Sequence, residues 1–242
     1  MNTIDVEQTG EGERVLPFYI VCDESASMGY NGGINAINKA LPELHESVAS
    51  NPLVNDKARI GLISFSDDAE VLLQVSALAD VEDMPGVMEK GATSYGSAFR
   101  LLKKQIKEDI ATLRADGFRV QRPAVFFISD GEPTDSDWQT YHAELIDKNS
   151  NPHAPNIIAF GVDSADPDTI RRVATVRGFI AETGIDPATA LTEIIGSLTD
   201  TIVASSSSAT PQLHVGPPPV GVIDVDLDEM FDDDEEDEDE QG

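Results

Sequence analysis

Three stretches of this 242-residue chain gather small oxygen-bearing side chains at short spacing. The first, Asp23-Glu24-Ser25-Ala26-Ser27, follows an apolar run and precedes Gly29, Gly32 and Gly33. In an extended loop, residues i, i+2 and i+4 point the same way, which would set one carboxylate and two hydroxyls around a single point. Hard divalent cations favour such a point: Mg²⁺ takes six oxygens at about 2.0–2.1 Å and accepts neutral hydroxyls and water among them. The second, Gly91-Ala92-Thr93-Ser94-Tyr95-Gly96, offers the Thr93 hydroxyl, and the third, Ile128-Ser129-Asp130-Gly131-Glu132-Pro133-Thr134-Asp135, ends a buried run in an acid and a turn. Each stretch alone also reads as a helix cap or a turn, Asp-Gly and Ser/Thr before a helix being common in both. Coordination requires all three to meet.

The elements that would bring them together alternate. Leu16 to Cys22, Arg59 to Phe65, Val71 to Val75, Ala124 to Ile128 and Ile157 to Val162 are strand-like; Ile34 to Val48, Gly96 to Leu113, a segment opening near Asp137, Thr169 to Val176 and Ala188 to Val203 have helical spacing. Five or six strands separated by helices predict a doubly wound α/β domain, a mostly parallel sheet covered on both faces. Ligands gather at the carboxyl ends of such strands where their order reverses, which singles out the loops after Cys22 and Ser129.

Residues 1–14 read as an N-terminal extension, 15–204 as the domain, and 205–242 as a Ser/Pro linker and disordered acidic tail, with Ser205 to Ser208, Pro211 and Pro217-Pro218-Pro219 marking the change. Within the tail, Val220 to Met230 alternates apolar and acidic residues and Asp232 to Glu240 is unbroken acid. It is a solvating tail or a short segment that docks on a basic partner surface. Against 45 Asp and Glu stand 16 Lys and Arg, a net charge of −29, so nucleic acid and anionic membranes are excluded as partners. No uncharged apolar run approaches the ~18 residues of a membrane-spanning helix. Met1 to Arg14 lacks the basic start and apolar stretch of a secretory signal, and the one cysteine, Cys22, with four scattered histidines forms no disulfide or zinc framework. A cytoplasmic location is the expectation.

The order Asp-x-Ser-x-Ser, then Thr within Gly-x-Thr-x-x-Gly, then strand-Ser-Asp-Gly-Glu-Pro-Thr-Asp resembles the metal-ion-dependent adhesion site of von Willebrand factor type A domains. The resemblance spans residues 16–204, with Phe65-Ser66 and Ile158 to Val162 similar to the family's later strands, and it is nearest to the bacterial intracellular TerY-like proteins. It implies a six-stranded sheet of order 3-2-1-4-5-6 with one antiparallel edge strand, and Mg²⁺ or Mn²⁺ held by Ser25, Ser27 and Thr93, with Asp23 and Asp130 coordinating directly or through water. It also implies a setting in stress or tellurite resistance. An ion with mostly neutral ligands keeps a position open for an outside carboxylate, so the leading expectation is a non-enzymatic module that binds a protein through that protein's Asp or Glu.

Competing readings rest on other residues. A phosphatase of the haloacid dehalogenase type also ends its first strand in Asp, but the acid/base position two residues later is Ser25, and only Lys90 lies near Thr93. A nucleotide cradle is absent, since Gly29 to Gly33 lacks Gly-x-x-x-x-Gly-Lys-Ser/Thr. A scaffold could instead use helix faces and the acidic tail, with a structural ion only. Trp138, the single tryptophan, is either a partner-contact anchor or a core residue. Asp56, Asp67, Asp68, Asp163 and Asp166 read as surface or turn acids.

Overall fold

The structure, a computed structural model, describes residues 12–227. Most of the expected N-terminal extension and the acid run 232–240 lie outside the described residues. The chain order is β1 (Arg14–Asp23), α1 (Ala26–Tyr30), α2 (Gly33–Ala49), α3 (Pro52–Asn55), β2 (Ala58–Phe65), β3 (Ala69–Ser76), α4 (Tyr95–Ala115), β4 (Arg119–Val120), β5 (Ala124–Ser129), α5 (Trp138–Ile146), β6 (Asn156–Gly161), α6 (Pro167–Val173), β7 (Arg177–Ala181), α7 (Pro187–Ser206) and β8 (Val222–Val225).

The strands are arranged β3-β2-β1-β5-β6-β7-β8, with the two-residue β4 beside the start of β1. β1 pairs in parallel with β2 and β5, β5 with β6 and β6 with β7, while β3 runs antiparallel to β2. Without β4 and β8 this is the expected 3-2-1-4-5-6 order. Strand alternation splits the core in two. Phe18, Ile20 and Cys22 face α2 and α7 together with Leu62, Phe126 and Ile128. Tyr19 and Val21 face α4, α5 and α6 together with Ile63, Phe65, Val125 and Phe127. Both faces of β1 are therefore covered, which is why its sequence reads as unbroken apolar residues.

Two differences lie at the far edge. The helix expected over Thr169 to Val176 stops at Val173, and Arg177–Ala181 continues as a strand. Beyond Ala204 the chain does not become a linker: α7 runs to Ser206, Leu213 and Val215 pack on the α2/α7 core, and Val222–Val225 adds an antiparallel eighth strand to β7. The described part of the alternating apolar and acidic segment, at Val222–Val225, thus docks on its own sheet. Val222 and Val225 are buried, Arg177 grips the Asp224 carboxylate through Nε and Nη2 and the Gly216 carbonyl through Nη1, and Arg171 Nε donates to the Asp226 carbonyl. Within the described residues this segment meets basic side chains of β7 and α6, and the sheet has two antiparallel edges instead of one.

Removing residues 217–242 is expected to lower the unfolding free energy by about 2–4 kcal/mol, from the two valines and the strand pairing. Asp224→Ala, which removes only a partly exposed ion pair, should cost under about 1 kcal/mol. Urea unfolding measures both, and a truncated chain that unfolds at the wild-type midpoint would show that β8 contributes nothing.

Candidate metal centre

Asp23 closes β1 between Phe65 of β2 and the end of β5, fully buried. Its Oδ1 accepts the Ser25 N–H at 2.8 Å and its Oδ2 accepts the Ser129 hydroxyl at 2.6 Å. Ser25 and Ser27 Oγ are 3.1 Å apart, Ser27 donates to Asp130 Oδ1 at 2.8 Å, and Asn31 Nδ2 donates to Asp130 Oδ2 at 2.6 Å. One hydrogen-bonded chain therefore runs from Ser129 through both carboxylates and both serines to Asn31. Ser27 is exposed and opens this chain to solvent, whereas Ser25 and Asp130 are buried.

The local geometry differs from the extended loop read from the spacing. Ala26–Tyr30 is a short helix with Ser25 at its N-cap, and the Ser25 side chain makes no capping hydrogen bond. The turn, not an extended run, brings Ser27 beneath Asp130, and the Ser25 hydroxyl stays available to Ser27.

Thr93 is buried beside Gly131, its Oγ1 3.9 Å from where a Gly131 Cβ would stand. Among the described residues no hydrogen bond joins that hydroxyl to the other four side chains; the Thr93 carbonyl instead accepts the Thr134 N–H at 2.9 Å. Thr93 is not the helix cap. Ser94 caps α4 by accepting the Ser97 N–H, and Asp135 reaches over from the next loop to accept the Tyr95 and Gly96 N–H groups at 3.0 and 2.7 Å. A Cβ at Gly96 would lie 2.5 Å from that carboxylate, so the second glycine of Gly-x-Thr-x-x-Gly is required by close approach. Tyr95 OH then donates to the Gly131 carbonyl at 3.0 Å, tying the Thr93 and Asp130 loops together.

Burial lifts the Asp23 carboxyl from its ordinary value to about 6, against the lowering effect of its hydrogen bonds to Ser129 and Ser25. Burial also raises Asp130. Neither carboxylate takes part in an ion pair among the described residues. The nearby lysine is engaged elsewhere: Lys90 bonds buried Glu24 at 2.9 Å and also Glu70. Among the described residues no group of three or more His, Cys, Asp or Glu is arranged to hold a metal, so a cation here depends on hydroxyl oxygens as much as on carboxylates. The donor set, oxygen only with two buried acids lacking a basic partner, fits a hard divalent ion.

Sequence reasoning did not assign the roles that five side chains play around this cluster. Ser129 and Asn31 position the two acids, Asp135 fixes α4 from a different loop, and Glu24 with Lys90 pins the segment before Gly91. Only proximity to Asp23 and Asp130 in sequence marked Ser129 and Asn31; nothing in the spacing marked the long-range contacts of Asp135. Trp138 is a core residue and not a contact anchor: it is 4% exposed, with ring centroids 5.7 Å from Tyr95 and 6.2 Å from Phe99. Cys22 is fully buried, and burial pushes its thiol up. Asp166 caps α6, while Asp163, at a φ of 54°, brings its carboxylate to 3.4 Å from Asn31 Nδ2.

The family model for the von Willebrand factor type A domain matches residues 18–132. Solved structures of similar fold include proximal thread matrix protein 1 from the mussel byssus, 15% identical over 80% of this chain and 49% of that one with a TM-score of 0.56. A von Willebrand factor type A protein from Catenulispora acidiphila is 15% identical over 78% of this chain and 43% of that one, TM-score 0.56. The pilus adhesin SpaC from Lactobacillus rhamnosus GG is 14% identical over 81% of this chain and 31% of that one, TM-score 0.59. Another structure of the mussel protein has a zinc-occupied MIDAS motif. The chain spans about half the length of the mussel protein and less of the other two. No curated protein matches the sequence. The family match covers just under half of the chain, and the solved structures, at 14–15% identity, share its fold.

A carboxyl whose folded pKa is raised binds more protons in the native state than in the unfolded one, so its stability contribution is lost as pH rises from its ordinary value through about 6. Asp23→Asn should therefore raise the stability of the metal-free protein at pH 7 by up to about 3 kcal/mol and flatten its pH dependence between pH 4 and 6. Thermal melts in EDTA across that range measure the effect; a variant less stable than wild type at pH 7 would contradict it.

Proposed function

We propose that the loops at the carboxyl ends of β1 and β5 hold Mg²⁺ or Mn²⁺ and that the chain docks a partner protein through that ion. The observation that carries the reading is the continuous hydrogen-bonded chain Ser129–Asp23–Ser25–Ser27–Asp130–Asn31, in which two buried carboxylates have hydroxyl, amide and backbone donors but no basic side chain. A divalent cation supplies the positive charge that this arrangement lacks. Ser25, Ser27 and Thr93 would offer neutral oxygens, with Asp23 and Asp130 as direct ligands or as holders of bound water.

With little charge donated by its ligands, such an ion attracts an outside carboxylate, and exposed Ser27 leaves the approach open. An Asp or Glu of the partner completes the coordination. The apolar contacts around it come from Tyr30 and Met88, 86% and 67% exposed, in the segments adjoining Asn31 and Glu24; they take the place sequence reasoning considered for Trp138. The zinc bound by the structurally similar mussel protein supports a cation at this position in the fold. The TerY-like resemblance supports a bacterial stress or tellurite-resistance setting. Because the chain's net charge of −29 repels an acidic partner at long range, moderate salt should strengthen the complex while leaving the ion in place.

Titration calorimetry with Mg²⁺ or Mn²⁺ is expected to show one bound ion on the wild-type chain and none on Asp23→Ala. Affinity capture in Mg²⁺ should retain a partner that EDTA releases and that Asp23→Ala fails to retain, by about a hundredfold in affinity. Absence of uptake, or capture indifferent to EDTA, would overturn the reading.

A further inference from the structure

Helices α2 and α7 lie side by side, and the chain returning from α7 to β8 passes over them at Pro217-Pro218-Pro219. Between these three walls is a groove of about 700 Å³ that no strand residue lines. Its base includes the buried side chains of Leu44 and Ile195. The proline wall has fixed φ angles and no backbone N–H to offer, so it is a preset apolar surface.

The charges lining the groove are of one sign. Glu43, Glu193 and Asp200 are exposed along it, no lysine or arginine lines it, and among the described residues none of the three acids is in an ion pair. A second feature is independent of charge. Gly196 lies inside α7 on the groove wall, and nothing stands within 4 Å of the position its Cβ would take. A glycine inside a helix is destabilising relative to alanine, and packing does not require this one. What the missing side chain provides is depth in the groove.

Charge also decides what fits. Residues 228–242 carry acids and no Lys or Arg, and residues 1–11 carry Asp5, Glu7 and Glu11 with no base, so neither terminus of this chain complements the groove. We propose that the α2/α7 groove binds a partner-protein segment in which lysines or arginines flank an apolar residue: the apolar side chain lies over Gly196 against the prolines, and the basic groups meet Glu43, Glu193 and Asp200. The groove runs along α7 from Thr192 to Ala204, separate from the Asp23 cluster, so this surface does not depend on the proposed ion.

Fluorescence anisotropy on the full chain tests it with a fluorescein-labelled nonapeptide, Leu-Ala-Leu flanked on each side by three lysines, and a counterpart with glutamates in place of the lysines. The wild type should bind the lysine peptide, more weakly as salt rises, and not the glutamate peptide. Gly196→Met leaves the net charge unchanged and should lose about tenfold or more in affinity by filling the groove. The double variant Glu193→Gln/Asp200→Gln should lose as much, while Glu108→Gln/Asp116→Gln, which removes the same charge from α4 and its C-cap on the opposite face of the sheet, should lose little. Asp23→Ala and EDTA should change nothing, which separates this result from the metal-site reading. Wild-type affinity in Gly196→Met would reduce the binding to general attraction by an acidic protein and overturn the proposal, as would no binding at low salt or a preference for the glutamate peptide. Should Gly196→Met fail to fold, the comparison of the two charge variants decides.

Discussion

Two carboxylates buried at neighbouring strand ends without a basic side chain are the constraint around which this molecule is organised. Taking a carboxylate out of water is unfavourable unless donors surround it. Asp23 is placed at the end of the central strand, where parallel partners on both sides leave it no access to solvent, and it is met by an N–H and a hydroxyl. Those donors do not restore the carboxyl to its ordinary acidity. The remaining deficit is of the kind a small divalent ion removes. Its location follows from topology: the chain leaves β1 toward β2 on one side and meets β5 on the other, so the loops after β1 and β5 face one another across the point where strand order reverses.

Holding such a cluster requires that the loops not relax. They are joined backbone to backbone: Lys90 N–H to the Glu24 carbonyl at 2.7 Å, Ala26 to Gly91, Ser94 to Ser66 and Thr134 to Thr93. Asp135, accepting from the first N–H groups of α4, and the Tyr95 hydroxyl on Gly131 add side-chain ties to a helix that is itself fixed by the Phe65, Phe99, Phe127 and Trp138 rings. Glu24 and Lys90 serve the same purpose on the other flank. A site held this way gives up little further entropy when a ligand arrives, which favours binding through few contacts.

The parts legible from sequence are those set by local periodicity. The β1 and β5 runs and the α2 and α4 spacings each specify an element and a buried face, and strand ends carrying Asp23 and Asp130 point to the crown. What was not legible depends on partners distant in sequence. β7 is short and its helix stops early because Thr175 Oγ1 and the Thr175 and Val176 N–H groups turn back to Ile157 of β6. Val222–Val225 has only two buried residues, too few for a strand signal, and becomes one because β7 has an unpaired edge and Arg177 faces Asp224. Proline-rich flanks look like a linker whether or not a sheet edge waits beyond them. Asp135 looks like a cap for the helix that follows it in sequence, yet caps the helix that precedes it.

Net charge conceals a division of labour among the acids. Asp166, Asp186 and Asp135 satisfy helix N-termini, Asp224 and Glu24 pair with bases, and Asp23 and Asp130 form the crown. Four of the basic side chains are likewise engaged: Arg59 caps carbonyls of the α3–β2 turn, Arg171 and Arg177 hold the C-terminal strand, and Lys90 holds the crown. These four bases are committed to the fold, while Glu43, Glu193 and Asp200 stay exposed along a groove that no lysine or arginine lines. The two surfaces consequently select opposite chemistry. On the two proposals, an acidic protein would recruit acid through a cation at the crown and base directly along α2 and α7, so raising ionic strength should act on the two in opposite directions.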